Sequence, residues 1–259
     1  MPREATMSMR NPVIRAENLH KSFGNVQALA GVDLHVAAGE IFGILGPNGA
    51  GKTTAVECLA GTIKPDTGAL SVLGVDPAMQ REMIRRHVGY QLQATTLPAA
   101  LKVGEAMRWF AALYPDPADP VELLELVGMS QRTKRRIGTL SGGERQRLSI
   151  ATALVGRPRI AIFDELTTGL DPQARRGIWA LVQSIRAGGV TVVLVSHALD
   201  EVERLCDRMA VVDQGRLRFA GTPAELRRQV PGQHRGGATL EDAYLRLLDA
   251  DAQNVMEGQ

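Results

Sequence analysis

With 259 residues, 44% of them hydrophobic, and a formal net charge of only +2, the chain is long enough for one large domain with a substantial core. So small a charge gives no electrostatic reason to expect nucleic acid or an anionic membrane surface as a partner. No apolar stretch approaches the roughly 20 residues that cross a bilayer. Met1 to Asn11 carries Arg3, Glu4 and Arg10 in place of the apolar centre of a secretory signal. A soluble chain is therefore expected. The two cysteines, Cys58 and Cys206, lie far apart and form no C-x-x-C pair, so both read as reduced thiols of a cytosolic protein.

In chain order, Val13 to Asn18 and Val32 to Val36 predict short strands. Between them Lys21-Ser22-Phe23-Gly24 forms a polar, turn-forming stretch. Phe23 is either an exposed ring able to stack on a nucleotide base or a local packing anchor. The apolar run Ile41 to Leu45 then leads into Gly46-Pro47-Asn48-Gly49-Ala50-Gly51-Lys52-Thr53-Thr54, followed by the helix-compatible Ala55 to Ala60. A buried strand delivering the chain into a glycine-rich loop and then a helix is a phosphate cradle. Its backbone N–H groups and helix dipole converge on an anion. In the G-x-x-x-x-G-K-[ST] spacing, Lys52 reaches the β- and γ-phosphates and the Thr53 hydroxyl holds Mg²⁺.

Beyond the cradle, Lys64 to Gly68 predicts a turn, Leu70 to Leu73 a strand, Met79 to Arg86 a basic helix and Val88 to Gln93 another strand. From Thr95 to Gly142 the texture changes to helical segments at Glu105–Leu113 and Val121–Val127, broken by Pro115, Pro117 and Pro120. This reads as a helical insertion. The basic run Lys134-Arg135-Arg136 is a solvated face or an anion contact. Ser141 and Glu144 then have capping-box spacing ahead of a helix at Leu148–Leu154. Gly142 and Gly143 leave that helix N-terminus approachable by a second phosphate.

The strand Arg159 to Phe163 ends in Asp164 and Glu165. Ligands of α/β sheets sit beyond the carboxyl ends of strands, so Asp164 is placed to hold Mg²⁺ and Glu165 to orient or deprotonate a water. Leu170-Asp171-Pro172 is a turn, and Val190 to Ser196 is a central strand delivering His197 to the same edge. By position alone His197 is either a core histidine or a catalytic one. Leu205–Val212 and Arg216–Ala220 flank the hairpin signal Asp213-Gln214-Gly215. Thr222-Pro223-Ala224-Glu225 opens a short helix, Thr239–Leu248 forms a last amphipathic helix, and Ala250 to Gln259 is expected to be disordered.

Taken together, these motifs resemble the ATP-binding subunit of an ABC transporter along nearly the whole chain. Gly46 to Thr54 resembles the Walker A loop, Gln93 the Q-loop glutamine, and Leu140 to Glu144 the signature sequence. Asp164 and Glu165 resemble the Walker B pair, Asp171 the D-loop aspartate, His197 the switch histidine, and Phe23 the adenine-stacking aromatic. The resemblance implies a RecA-like P-loop NTPase core with an antiparallel β subdomain and an inserted helical subdomain. The ATPase domain would span 12–222, with the helical part at about 95–142 plus the helix after the signature, and 223–259 would form a C-terminal extension. It implies ATP and Mg²⁺ as cofactors, with Gln93 joining Thr53 and Asp164 at the metal and His197 sensing the γ-phosphate.

It also implies a head-to-tail dimer with a second ATPase subunit, in which Ser141, Gly142, Gly143 and Asp171 of one chain close over the Lys52 cradle of the other. A separate transmembrane permease is the expected partner, at the inner face of the membrane, and no nucleic acid. The segment Gln91 to Pro98 and the closing Thr239 to Tyr244 resemble the ABC-2 or drug-resistance exporter branch. A soluble assembly ATPase and an importer ATPase are the other readings. Three positions depart from the family pattern: Phe23 for tyrosine, Glu144 for glutamine, and Leu166 for proline, the last implying a less rigid turn around Glu165.

Overall fold

The computed structural model describes residues 12–91, 97–229 and 238–256, with side chains to 249. Two sheets organise the chain. Strands β1 (Pro12–Phe23), β2 (Val26–Ala37) and β4 (Thr67–Val72) form an antiparallel three-stranded sheet in the order β2-β1-β4. The second sheet comprises β3 (Ile41–Leu45), β5 (Val88–Gln91), β6 (Ile160–Asp164), β7 (Thr191–Val195), β8 (Arg208–Asp213) and β9 (Arg216–Gly221). Its order is β5-β6-β7-β3-β8-β9, parallel except for the β8–β9 hairpin.

Strands β3, β6 and β7 are buried at every position, as expected of parallel strands covered on both faces. Their alternation divides the core in two. Ala161 and Phe163 of β6 face one cluster with Val192 and Leu194 of β7. Ile160, Ile162, Val193 and Val195 face the other. Helix α1 (Lys52–Leu59) covers the second face, while α5 (Gly142–Leu154), α6 (Pro172–Ala187) and α7 (Leu199–Leu205) cover the first.

The helical insertion holds α3 (Val103–Ala111), α4 (Pro120–Leu126) and two 3-10 turns at Ser130–Arg132 and Ile137–Thr139. Helix α2 (Arg81–His87) begins two residues later than its sequence suggests. Asp119 caps α4 by accepting from the Val121 N–H, with Pro120 in the first turn, where a missing N–H costs nothing. The C-terminal helices α8 (Pro223–Arg228) and α9 (Leu240–Met256) return to the body through Leu226, Leu240 and Ala243, all buried in the first cluster.

Four local expectations are corrected. Lys21 to Phe23 belongs to β1, and only Gly24 and Asn25 turn. Both first strands run 12 residues because cross-strand pairing carries their polar ends. The stretch before β8 is helix α7 through Leu205, since Val202 and Leu205 bury the same helical face. Helix α9 continues to Met256 instead of ending at Leu248, while residues 257–259 lie outside the described part.

Candidate active site

Sheet register assembles the site. Asp164 and Ile44 both pair with Val195, so the ends of β6 and β3 flank the end of β7. Two backbone bonds continue the pattern past the strands: Glu165 N–H donates to the Val195 carbonyl (2.9 Å) and Ser196 N–H to the Ile44 carbonyl (3.2 Å). The Gly46–Thr54 loop, the Asp164–Glu165 pair and His197 therefore leave adjacent strands at one edge, where ligands of open α/β sheets bind.

The loop is held from behind. Gly46 has φ 155° and Gly51 φ 102°; a Cβ at Gly46 would collide with the Val212 carbonyl oxygen, and one at Gly51 with that of Ala28. Both glycines thus answer to the protein's own packing as well as to an anion. Among the described residues, nothing lies within 4 Å of a Cβ added at Gly49 (φ 79°). The β8–β9 turn supports the same loop, since Gly215 N–H donates to the Ala50 carbonyl (2.9 Å) and the Gly215 carbonyl accepts from Ala30 N–H (2.7 Å). Pro47, Asn48 and Gly49 are exposed, and so is Thr53, while Thr54 is half-buried.

Gly51 caps α1 with no side-chain hydrogen bond, so the positive helix end faces the loop. The buried Lys52 ammonium donates to the carbonyls of Gly46 (2.7 Å) and Pro47 (2.9 Å). Burial lowers its pKa, and the Glu165 and Asp164 carboxylates oppose that shift.

Asp164 is 4% exposed. Its pKa is pushed up to about 6, first by burial and then by Glu165, with Lys52 pulling the other way. Glu165 sits at φ 51°, a left-handed conformation uncommon for a non-glycine residue and concentrated at functional turns. One of its oxygens lies 3.3 Å from His197 Nδ1 and the other accepts from Thr168 Oγ1 at 3.4 Å. His197 is exposed, which excludes the core-histidine alternative.

Leu166, the departure from proline, is 1% exposed within the first core cluster. Packing therefore anchors the turn that the sequence alone suggests is less rigid. Gln93 lies outside the described residues. Gln91, read from sequence only as part of a strand, is buried and its side-chain oxygen accepts from the Asp164 N–H at 3.3 Å; the β5–β6 register that aligns the two has no local sequence signal.

Phe23 is 49% exposed at the tip of the β1–β2 hairpin, paired with Val26, so it is no packing anchor. Lys21 Nζ stands 5.5 Å over its ring and is held by Asp66 at 2.7 Å. The same hairpin abuts the cradle where Ala28 meets Gly51.

Ser141, Gly142, Gly143 and Asp171 form a second group. Ser141 accepts from Glu144 N–H (3.2 Å) and Glu144 reaches back to Ser141 N–H (2.9 Å), the predicted capping box. Asp171 caps α6 by accepting from Gln173 and Ala174 N–H, both at 2.9 Å. A Cβ on Gly143 would stand 3.3 Å from Ala174 Cβ, and one on Gly142 3.6 Å from Leu170. The paired glycines therefore set two helix N-termini side by side, and Ser141 and Gly142 remain exposed. Glu144 also pairs with Arg132 (2.6 Å) and Arg135 (3.6 Å). Arg135 thus supports the box, while Lys134, Arg135 and Arg136 are all exposed, as on a solvated face.

The donors offered to a metal, the Thr53 hydroxyl and the Asp164 carboxylate, are hard oxygens, and they stand beside a cationic loop built for phosphate. That set fits Mg²⁺ held jointly with a nucleotide phosphate. Among the described residues no three or more His, Cys, Asp or Glu side chains cluster as a metal site of their own.

A glycine-rich loop between strand and helix, an acidic strand end and an exposed histidine at one sheet edge are the arrangement of a P-loop nucleotide hydrolase. The family model for ABC transporters matches residues 29–168, and the chain belongs to this family as an ATP-binding subunit, an ATPase. It is 38% identical to the Nod factor export ATP-binding protein I of Ralstonia nicotianae over 220 residues, covering 83% of this chain and 68% of the relative. It is 38% identical to the daunorubicin resistance ATP-binding protein DrrA2 of Streptomyces coeruleorubidus over 251 residues, covering 95% and 78%. The linearmycin resistance ATP-binding protein LnrL of Bacillus subtilis is 35% identical over 219 residues, covering 83% and 70%. Among solved structures, an ATP-binding subunit of an ABC transporter superposes with TM-score 0.79 at 28% identity, covering 91% of this chain and 99% of that one.

Proposed function

We propose that the chain binds MgATP, closes head-to-tail with a second ATPase subunit, and drives a separate membrane permease that exports a drug, lipid or polysaccharide. The observation that carries the chemistry is the meeting of Glu165 and His197 at 3.3 Å beside the Lys52 cradle. Glu165 orients and deprotonates the attacking water, and His197 both holds Glu165 and contacts the γ-phosphate. Lys52 leaves its loop carbonyls for the β- and γ-phosphates, the Gly46–Thr54 amides cradle them, and Phe23 stacks on adenine. Thr53, Asp164 and Gln93 hold Mg²⁺, which when bound supplies positive charge to the phosphate oxygens.

The exposed N-termini of α5 and α6 support the dimer. Ser141, Gly142, Gly143 and Asp171 would supply the partner's site with a helix dipole and a hydroxyl, so ATP favours closure and loss of the γ-phosphate releases it. The ATPase unit would be 12–222 and the extension 223–259. Export is supported by the names of the relatives, which describe Nod factor export and resistance to daunorubicin and linearmycin. Among the described residues no helix is long and apolar enough to cross a membrane, which fits a subunit seated on the permease's inner face. The permease would dock near Ala99 to Arg108.

The test is capture from detergent-solubilised native membranes with tagged Glu165→Gln protein, with and without MgATP. Recovery of a multi-span membrane protein supports the transporter reading and its sequence narrows the cargo. Recovery of soluble partners alone favours an assembly ATPase.

A further inference from the structure

Directly behind the site lies a carboxylate that no motif accounts for. Glu201 of α7 is 0% exposed, and among the described residues no cation pairs with it. Two donors bond it instead, Ser196 Oγ at 2.6 Å and Trp179 Nε1 at 3.2 Å, and the buried Thr167 side chain faces it. Each of the three lies on a different segment. Ser196 immediately precedes His197, Thr167 follows Glu165 by two residues, and Trp179 is on α6, the helix that Asp171 caps. The Ser196 hydroxyl also accepts from Ala198 N–H at 3.0 Å, so both of its hydrogen bonds reach across His197 to residues that follow it.

An apolar side chain would fill this volume with a smaller desolvation cost. What an apolar group cannot do is hold hydroxyl and indole donors from separate segments at set directions from two oxygens. Glu165 and His197 come from separate loops, and their contact depends on the relative placement of those loops to a fraction of an ångström.

We propose that Glu201 is a positioning residue for hydrolysis, clamping the Glu165 turn to the His197 loop through Thr167 and Ser196. The proposal rests on the roles of Glu165 and His197 given above. It does not involve ATP binding, since the Lys52 loop is supported separately by Val212, Ala28 and Gly215.

The experiment is steady-state ATPase kinetics of the full chain carrying Glu201→Gln, Thr167→Val or Thr167→Ser, normalised to folded protein. Glu201→Gln and Thr167→Val are expected to lower kcat about tenfold or more with KM for MgATP unchanged, the pattern of an interaction used only in the transition state. Thr167→Ser, which restores the hydroxyl, is expected to recover the parental kcat. Parental kcat in Thr167→Val or in Glu201→Gln overturns the proposal, as does failure of Thr167→Ser to recover it. If Glu201→Gln does not fold, the nearly isosteric threonine pair decides. His197→Ala is measured alongside: parental kcat there removes the role of His197 itself, whereas a loss there with normal Thr167→Val turnover removes only the clamp.

Discussion

His197 Nδ1 stands 3.3 Å from a Glu165 carboxylate oxygen across 32 positions of sequence. With its proton on Nδ1, the imidazole donates to Glu165 and fixes the direction in which the other oxygen faces. Glu165→Gln keeps that shape and loses the carboxylate proposed above as the base. Hydrolysis is expected to fall by about 10²–10⁴-fold, the usual worth of a positioned general base, with ATP affinity retained. Single-turnover hydrolysis and filter binding of the same protein measure both; near-parental turnover would remove Glu165 as the base.

The three cradle glycines separate by environment. Gly46→Ala and Gly51→Ala place a Cβ against a backbone carbonyl in a left-handed conformation. Each is expected to cost several kcal/mol, among the larger single-site losses. Gly49→Ala meets open space, so only its backbone conformation is penalised, by about 1 kcal/mol. Thermal melts of the three variants should rank Gly49→Ala mildest by a wide margin.

Lys52→Ala is expected to leave the fold intact and to abolish measurable ATP binding. Among the described residues the ammonium bonds carbonyls of its own loop, and burial already disfavours its charge. Titration with a fluorescent ATP analogue, set against a circular-dichroism melt, separates the two effects.

Glu144 gives a pH signature. Its hydrogen bond from Ser141 N–H and then its pairing with Arg132 hold its pKa below the ordinary carboxylate value. A depressed carboxylate adds stability above its unfolded pKa and loses it as pH falls through the folded one. Glu144→Gln should therefore be less stable than the parent at pH 7, by about 1 kcal/mol or less because the arginines are partly solvated. The difference should vanish in acid below the parent's folded pKa, and should shrink at high salt. Denaturant melts at pH 7 and in acid check it; an unchanged difference would mean that Glu144 acts by packing.

Phe23 is expected to contribute to nucleotide affinity without contributing to the core. Phe23→Ala should weaken ATP binding by about 1–3 kcal/mol if the ring stacks on adenine, whereas Phe23→Tyr should not. Equal affinity of all three proteins would leave the exposed ring without a nucleotide role.

The cradle, the signature box and the acidic strand end were legible because each is a local device. A glycine-rich loop between strand and helix, a Ser141–Glu144 cap and a strand ending in Asp164-Glu165 are written in consecutive residues. Less was legible where pairing or packing decides. The full length of β1 and β2 depends on cross-strand partners, and helix α7 was hidden because its 7 residues span barely two turns, too few for the spacing of Leu199, Val202 and Leu205 to stand out. Leu166 read as a loosened turn because only burial shows what holds it.

The sequence by itself determined the glycine-rich loop between strand and helix, the Ser141 cap, the acidic strand end, the helical segments after β5 and the order of the elements, because backbone preference, capping and apolar runs act within a few residues of one another. The tertiary structure alone decided that Gly46 and Gly51 are shaped by Val212 and Ala28, that Gln91 bonds the Asp164 backbone, and that Glu201 joins three segments. Those relationships depend on sheet register and helix packing, which bring together residues whose separation along the chain carries no local energetic trace.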